Sequence, residues 1–264
     1  MKYALVNGTR LEAQAGVSGF CPFCGAPLIA RCGEIRVAHW AHKRGGLCDP
    51  WWENETDWHR NWKNQFPVEW QEVVHEADSG EKHIADVKTD RGWAIEFQHS
   101  HLKPEERRSR DNFYTKLIWV IDGLRRKTDR VQFSKLLKRS RSVGGVKWIR
   151  RIASAESRLF SEWCESPSNV FLDFGEPDAV WWLLRKRLGI PAYVGRFSRN
   201  EFVQIHLRPE TESISEFEKF VGELDSLISA YESNLVKRQS QRSHTQTFRL
   251  TPNRLGSYRR RRRF

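Results

Sequence analysis

Two carboxylates in the segment HIADVKTDRGWAIEFQHS lie where a divalent cation could join them. The segment predicts a β-hairpin with a three-residue loop, Asp90 to Gly92, that ends on a glycine in the left-handed position. This loop puts Asp86 directly opposite Glu96 on the neighbouring strand. Like charges that face each other across a sheet are destabilising, so either water or a cation must separate the two carboxylates.

The two faces of this hairpin differ in chemistry. Because side chains alternate along a strand, one face is apolar and predicts a core side: Ala85, Val87, Trp93, Ile95 and Phe97. The other face carries Ile84, Asp86, Lys88, Ala94, Glu96 and Gln98. Two interpretations of this polar face are open: a solvated surface with incidental charges, or a metal site built on Asp86 and Glu96.

A second set of residues has the spacing of a zinc site. CPFCG supplies Cys21 and Cys24 across a tight turn, HWAH supplies His39 and His42, and LCD supplies Cys48. Thiolate and imidazole groups suit tetrahedral zinc, and Cys21 and Cys24 are the firmest ligands. For the other two positions, His42 and Cys48 form a natural pair with which His39 competes. Four protein ligands leave no open position, so the zinc is expected to be structural.

The composition points to a polyanionic partner. The 264 residues carry a formal net charge of +12, and between residues 101 and 151 sixteen Lys or Arg stand against five Asp or Glu. Twelve Trp and fifteen Phe offer stacking surfaces, and no apolar run approaches the roughly 18–20 residues of a membrane span. DNA is therefore favoured over a membrane, with a generally basic soluble protein as the alternative. No signal peptide is visible, which predicts a cytoplasmic protein.

The elements that must position these residues follow in order along the chain. A helix is predicted from about Trp52 to Phe66, stopped by Pro67. The strand VEWQEVVHE, the hairpin, the helix KPEERRSRDNFY and the buried strand KLIWVIDG come next. The first helix has a row of large side chains at helical spacing, Trp51, Glu55, Trp58, Trp62 and Phe66, and His59 and Lys63 continue the row from Glu55. A carboxylate within an aromatic stripe is costly unless it is bound to a metal or paired, for which His59 is available.

This order of helix, three strands, helix and strand resembles the core of the PD-(D/E)XK nucleases, on the residues ENETDWH, ADV and IEFQHS. More closely, the chain resembles the CoiA-like competence protein family over about residues 15 to 125. The likeness rests on the Cys-x-x-Cys module, HWAH, the helix with Glu-x-x-x-His and a following Lys, ADV, EFQHS, the Arg-rich helix and IWVID. It implies an α/β fold with a mixed sheet: a restriction-endonuclease-like PD-(D/E)XK core preceded by a small zinc-binding module and associated with the handling of DNA.

The resemblance also implies a catalytic site made of Glu55, Asp86, Glu96 and Gln98, with His59 and Lys63 beside them. Asp86 and Glu96 would hold one or two Mg²⁺ or Mn²⁺ ions, with the main-chain carbonyl of Phe97 as a further ligand, because hard cations prefer oxygen.

Gln98 departs from the superfamily pattern, which usually has a lysine at this position. Glutamine can orient water by hydrogen bonds but supplies no charge, so Lys88 or Lys63 would have to substitute. On the following helix, Arg107, Arg108 and Arg110 are expected either to meet DNA phosphates or to form a solvated face.

The sequence divides into four parts: a zinc-binding module at 1–50, the nuclease-like core at 51–150, an extension or accessory subdomain at 151–240 and a basic disordered tail at 241–264. Segments between about 126 and 210 would either finish the sheet or form that subdomain. An amphipathic helix over 211–237 is expected to pack, or to offer a surface to a protein partner or to a second copy.

Two functions of different class follow. One is a metal-dependent deoxyribonuclease, with structural Zn²⁺ and catalytic Mg²⁺ or Mn²⁺, that acts in DNA processing, uptake or defence against foreign DNA. The other is a nuclease-fold protein without turnover that binds DNA or recruits other factors. Gln98 keeps the second function open, because it replaces the usual lysine.

Overall fold

A computed structural model describes residues 1–34, 36–43, 48–51, 55–184, 192–208 and 216–248 of the chain. Its N-terminal strands are β1 (Tyr3–Val6), β2 (Thr9–Glu12), β3 (Ser18–Phe20), β4 (Pro27–Arg31) and β5 (His39–His42). They form an antiparallel sheet in the order β2-β1-β3-β4-β5. Ala4, Leu28, Trp40 and Cys21 are buried together on this sheet, so the Cys-x-x-Cys turn belongs to a small core of its own.

A second, nine-stranded sheet makes up most of the protein. Its strands are β6 (Gln71–Glu76), β7 (Lys82–Lys88), β8 (Ala94–Gln98), β9 (Leu117–Asp122), β10 (Arg141–Val143), β11 (Val146–Ile152), β12 (Asn169–Asp173), β13 (Val180–Leu184) and β14 (Ala192–Phe197). Their order is β10-β11-β14-β13-β12-β9-β8-β7-β6. The β8–β9 and β9–β12 pairs are parallel and the other pairs antiparallel, so the sheet is mixed as predicted.

Helices cover both faces of this sheet. They are α1 (Asp57–Lys63), α2 (Pro104–Phe113), α3 (Lys127–Arg139), α4 (Arg158–Trp163), α5 (Arg199–Leu207) and α6 (Glu216–Phe248), with 3₁₀ turns at Val68–Trp70 and Ser154–Glu156. Trp62 of α1, Phe202 of α5 and Phe217 of α6 share one apolar cluster, and Phe133 of α3 and Phe160 of α4 share the other. Burial on both faces explains the continuous apolar run of the parallel strand β9.

The predicted order of helix, three strands, helix and strand is confirmed. In the hairpin, Val87 pairs with Ile95 and Lys88 with Ala94, which is the predicted register. Gly92 has a φ of 77°, the left-handed conformation that the loop requires.

The first predicted helix was too long at both ends. Thr56 caps α1, with its side chain accepting a hydrogen bond from the backbone of His59, so Glu55 precedes the helix instead of lying on it. The helix ends at Lys63, and residues 52–54 of the prediction lie outside the described residues. The segment VEW forms a 3₁₀ turn, and the strand begins only at Gln71.

The C-terminal half adds strands to the same sheet. The boundary expected at residue 150 falls within β11, and β11 to β14 all join the nine-stranded sheet. Helix α6 runs to residue 248, past the predicted end at 237 and into the segment expected to be a disordered tail; residues 249–264 are outside the described part. Its residues Phe217, Leu224 and Ile228 are buried, so this end of α6 is a packed helix. Within the described ranges, no helix combines the length and apolarity needed to cross a bilayer.

Candidate functional site

The cysteine cluster begins at the tight turn between β3 and β4. The backbone N–H of Gly25 donates to the carbonyl of Cys21 at 2.9 Å, and the N–H of Cys21 donates to the carbonyl of Ala26 at 2.9 Å. Gly25 has a φ of 72°, which favours glycine at this position. The turn thus presents Cys21 and Cys24 on the same side.

Four side chains complete the cysteine cluster: Cys21, Cys24, His42 and Cys48 have ligand atoms within 4.8 Å of one another. Cys21 Sγ lies 3.7 Å from Cys48 Sγ, and Cys24 Sγ lies 3.3 Å from His42 Nε2. His39 is turned away, since its Nδ1 is 2.8 Å from the carbonyl of Val37. Three thiolates and one imidazole are a donor set that fits structural zinc.

A second group of ligand-type residues lines a small, partly open cavity of about 60 Å³ between the first sheet, α1 and the hairpin. Such a space is large enough for a few waters or a partly hydrated ion. Five acids line it: Asp49, Glu55, Glu72, Asp86 and Glu96. The basic residues Lys63, His59 and Arg110 lie among them. Of the six predicted catalytic residues, five therefore meet in this cavity, with Gln98 outside it.

Lys63 is the internal cation of the acidic cavity. Its Nζ lies 2.9 Å from Glu72, 3.0 Å from Glu55 and 3.8 Å from Asp86. Burial acts to lower the pKa of Lys63, but the carboxylates of Glu72, Glu55 and Asp86 outweigh it and raise that pKa. The ammonium group therefore stays charged, so Lys63 neutralises the acids and cannot act as a general base.

Glu72 joins the cavity to the N-terminal sheet. Its carboxylate accepts hydrogen bonds from the backbone N–H groups of Lys2 at 2.7 Å and Tyr3 at 3.0 Å. Burial acts to raise its pKa, but the charges of Lys63 and the N-terminal amine and the hydrogen bond from Lys2 outweigh burial and lower the pKa of Glu72 to about 2. Glu72 has a φ of 47°, which non-glycine residues seldom adopt. Sequence reasoning missed Glu72.

Asp86 and Glu96 follow the last observed pair of the hairpin, Val87 with Ile95, and have different surroundings. Asp86 is partly exposed, and its Oδ2 accepts a hydrogen bond from the backbone of Phe97 at 3.0 Å. Glu96 is 5% exposed, so the solvated-face interpretation is wrong for this residue. Burial and then the charge of Asp86 raise the pKa of Glu96 to about 8, although Arg110, 3.3 Å away, opposes them. Its Oε1 atom meets no donor at good hydrogen-bond geometry among the described residues, although the side chain of Tyr114 lies close enough to act on this carboxylate.

Asp49 connects the cysteine cluster to the acidic cavity. It follows the cluster residue Cys48 directly, and its carboxylate accepts hydrogen bonds from the backbone of Ile84 at 2.5 Å and of Trp51 at 3.0 Å. The same carboxylate lies 2.8 Å from Nδ1 of His83. Asp49 thereby fixes the strand two residues before Asp86. Sequence reasoning missed this residue, whose only signal was its position next to a predicted zinc ligand.

The remaining predicted residues divide between the cavity wall and other places. His59 lines the cavity, and its Nδ1 is 2.8 Å from Oγ1 of Thr56. Gln98 is buried, and its amide donates to the carbonyl oxygen and hydroxyl of Ser100 at 3.2 and 3.3 Å. Two lysines were expected to take the role of the lysine that Gln98 replaces. Lys88 contacts His75 instead of the acids, so Lys63 is the one of the two that lies at the site.

Two of the three arginines expected at the DNA surface point inward. Arg110 is 3% exposed and binds Glu96 and the carbonyl of Trp51, so it forms part of the cavity wall. Arg107 is 7% exposed and lies beside Asp111. Only Arg108 is exposed, where it pairs with Glu105 at 3.4 Å. The side of α2 that carries Arg107 and Arg110 is therefore buried in the protein, which the number of arginines in this helix did not predict.

Comparison with known proteins gives one match. Residues 9–50 match the family model described as the N-terminal domain of competence protein CoiA, and this segment contains the whole cysteine cluster and Asp49. The match supports the CoiA-like resemblance for the N-terminal part of the chain. Searches of curated proteins and of solved structures each found no match.

Proposed function

We propose that this protein is a metal-dependent deoxyribonuclease whose active site is the acidic cavity. The observation that carries the proposal is the convergence of Glu72, Asp86 and Glu96 on three adjacent strands around one small cavity. So many acids in one cavity are costly to the fold unless cations offset them. Lys63, Arg110 and Arg60 offset part of this charge, and what remains favours a bound cation.

Asp86 and Glu96 are the residues that would hold Mg²⁺ or Mn²⁺. The fit is supported by Oε1 of Glu96, a buried carboxylate oxygen that no donor among the described residues meets at good hydrogen-bond geometry, with the hydroxyl of Tyr114 nearby. Carboxylate oxygens are the ligands that these hard cations prefer. When bound, the cation would lower the pKa of a coordinated water and offset negative charge on the phosphate.

The chain's own residues have distinct tasks in this proposal. Asp86 is held in place by the backbone of Phe97, and Arg110 holds Glu96 from the side of α2. Lys63 keeps its charge next to Asp86 and would stabilise negative charge that develops on a phosphate oxygen. His59 lies in the cavity wall and would position water there.

The biological setting proposed is competence, that is, the uptake and processing of DNA. It is supported by the match of residues 9–50 to the N-terminal domain of competence protein CoiA. The match ends before α1, so it bears mainly on the cysteine cluster and includes only Asp49 of the five cavity acids. The structure of the cavity is the independent support for nuclease chemistry.

The test uses purified protein with circular single-stranded and double-stranded DNA, in Mg²⁺, in Mn²⁺ and without a divalent cation. Cleavage is expected only with a cation, and Asp86→Asn and Glu96→Gln should each lower its rate by at least about 10²-fold. Asp90→Asn, a change in the exposed hairpin loop, is the matched control and should leave the rate unchanged. Equal rates in wild type and both cavity variants would show that any cleavage arises elsewhere.

A nuclease-fold DNA-binding protein without turnover is the second candidate. Two observations favour it: Gln98 turns to Ser100 instead of the cavity, and Lys63 already binds three of the acids. This candidate predicts DNA binding without cleavage in either cation, and no Mn²⁺ binding at the cavity by titration calorimetry.

A further inference from the structure

Helix α3 has a solvent face rich in cations, with Val131 and Ser134 exposed between them. Lys127, Arg130, Lys135 and Lys138 are all exposed. At 3.6 residues per turn they lie within an arc of about 140° and extend over about 17 Å of the helix. The acid in this helix, Asp129, is 1% exposed and paired within the protein, so it does not neutralise this face.

These four cations differ from the other basic residues of the neighbourhood. Within the described part of the chain, none of the four forms an ion pair, whereas Arg139 at the end of the same helix pairs with Glu156 at 3.1 Å. Residues 124–151 contain eleven Lys or Arg and one acid. An uncompensated positive surface of this kind repels itself and favours a polyanion.

The position of α3 relates this surface to the acidic cavity. Phe133 of α3 packs in the same cluster as Ala94, and Glu96 projects to the same face of the sheet as Ala94 because side chains alternate. Phe133 contacts Trp181 of β13, which lies three strands from β8, or about 14 Å at the usual strand spacing. One DNA molecule is long enough to contact both the cationic face of α3 and the acidic cavity.

We propose that this face of α3, defined by Lys127, Arg130, Lys135 and Lys138, binds the phosphate backbone of DNA. The inference rests on the proposed function and assigns the DNA surface to α3 in place of the predicted arginines of α2. Duplex DNA carries one negative charge per about 1.7 Å of axis, so a row of four cations over about 17 Å can contact several phosphates. Contacts of this kind position DNA without reading its sequence.

The experiment compares two variants with equal loss of charge. The α3 variant is K127Q/R130Q/K135Q/K138Q, and the control variant is R31Q/K82Q/K237Q/R238Q, in which four exposed cations elsewhere are changed. Binding to a fluorescent 30-base-pair duplex is measured by anisotropy at increasing salt, without divalent cation. Circular dichroism and melting temperature confirm that both variants are folded.

The α3 variant should bind at least tenfold more weakly at low salt than wild type. Its slope of log affinity against log salt should be smaller by about two to four, because each phosphate that the protein neutralises adds about 0.9 to the slope. The control variant should change by less than half as much. Equal behaviour of the two variants would overturn the proposal. Unchanged DNA binding together with weaker binding to phosphatidylserine vesicles would also overturn it and would assign the surface to a membrane.

This result is independent of catalysis, because binding is measured without the cation that cleavage needs. If cleavage fails but the α3 variant alone binds DNA more weakly, the surface stands and the nuclease proposal fails. If cleavage occurs and the two variants bind alike, the nuclease proposal stands and the surface is wrong.

Discussion

The cysteine cluster and the acidic cavity are both sets of metal-ligand side chains, yet they are built in different ways. The cluster comes from positions 21 to 48, on one turn and the strand and segment that follow. The cavity draws on the segments that carry Asp49, Glu55, Glu72, Asp86 and Glu96, which meet only when two sheets and α1 pack together. The first is a local motif and the second a tertiary one.

The two regions also differ in how their charge is balanced. In the cavity, Lys63 and Arg110 bind four of the five acids, so part of the charge is neutralised by the protein itself. The cysteine cluster brings three thiols and an imidazole together, and we propose that a bound ion holds them in place. Metal loss should therefore unfold the first region but leave the second region folded and inactive.

Cys24→Ser tests this difference most strongly. The substitution removes one of the four residues proposed to bind zinc, and structural zinc contributes about 10–16 kcal/mol to the folding of small zinc modules. We expect loss of zinc, a clearly lower melting temperature and a stability loss of several kcal/mol. Metal analysis and thermal unfolding measure both effects, and Cys32→Ser, an exposed cysteine outside the cluster, is the control. A zinc-free wild type purified without chelator would contradict the assignment.

Asp49→Asn tests whether the two regions act on each other. Asparagine keeps one acceptor oxygen but loses the charge that faces His83 and one of the bonds that fix the strand before Asp86. Residues that hold a metal ligand in place typically contribute 10–100-fold in metal affinity. We expect Mn²⁺ affinity, measured by calorimetry, to fall by about 10-fold or more with the zinc content unchanged. Asp78→Asn, in an exposed turn, is the control. Unchanged Mn²⁺ affinity would mean that the cavity is independent of the cysteine cluster.

Local patterns predicted much of the fold. The alternation and loop of the hairpin specified its register, and Pro104 marked the start of α2. The first helix was predicted too long because its aromatic spacing continues beyond the Thr56 cap, in residues that pack but are not helical. The end of a helix depends on capping and tertiary contacts, which periodicity alone does not contain.

The residues of the acidic cavity were predicted only where a local pattern specified them. The hairpin register is local, and it identified Asp86 and Glu96. In the structure Gln71 of the preceding strand pairs with Val87, which brings Glu72 level with Asp86. The register of these two strands is set by tertiary packing, so the sequence alone did not predict the position of Glu72. The inward position of Arg110 likewise depends on how α2 packs on the sheet.

His206→Phe separates the loss of folding stability that His206 causes at low pH from the loss caused by the cysteine cluster and the cavity. His206 lies in α5, away from both, and burial followed by the charge of Arg91 lowers its pKa to about 3. Between pH 6.5 and about 3 the unfolded chain binds a proton that the folded protein does not, so His206 destabilises the fold as pH falls. At pH 5.5 this term is about 1.4 kcal/mol.

Urea unfolding at pH 7.5 and 5.5 measures this term. The loss of stability between the two pH values should be smaller by about 1.4 kcal/mol in His206→Phe than in wild type. The acid-dependent loss that remains can then be assigned to the ligands of the cysteine cluster and to the cavity. An equal loss in both proteins would show that His206 is accessible to protons in the folded state.

Gln98→Ala is expected to have the smallest effect on activity. If Gln98 oriented the attacking water, its loss would lower the cleavage rate by about 10²-fold or more. Its amide instead donates to Ser100, and it does not line the cavity, so the substitution should cost about 1 kcal/mol of stability and change the rate per folded molecule by less than about threefold. Ser100→Ala, which removes the hydroxyl partner, should give a similar or smaller loss of stability. A 10²-fold loss of rate in Gln98→Ala at unchanged stability would show that this side chain turns into the cavity when DNA binds.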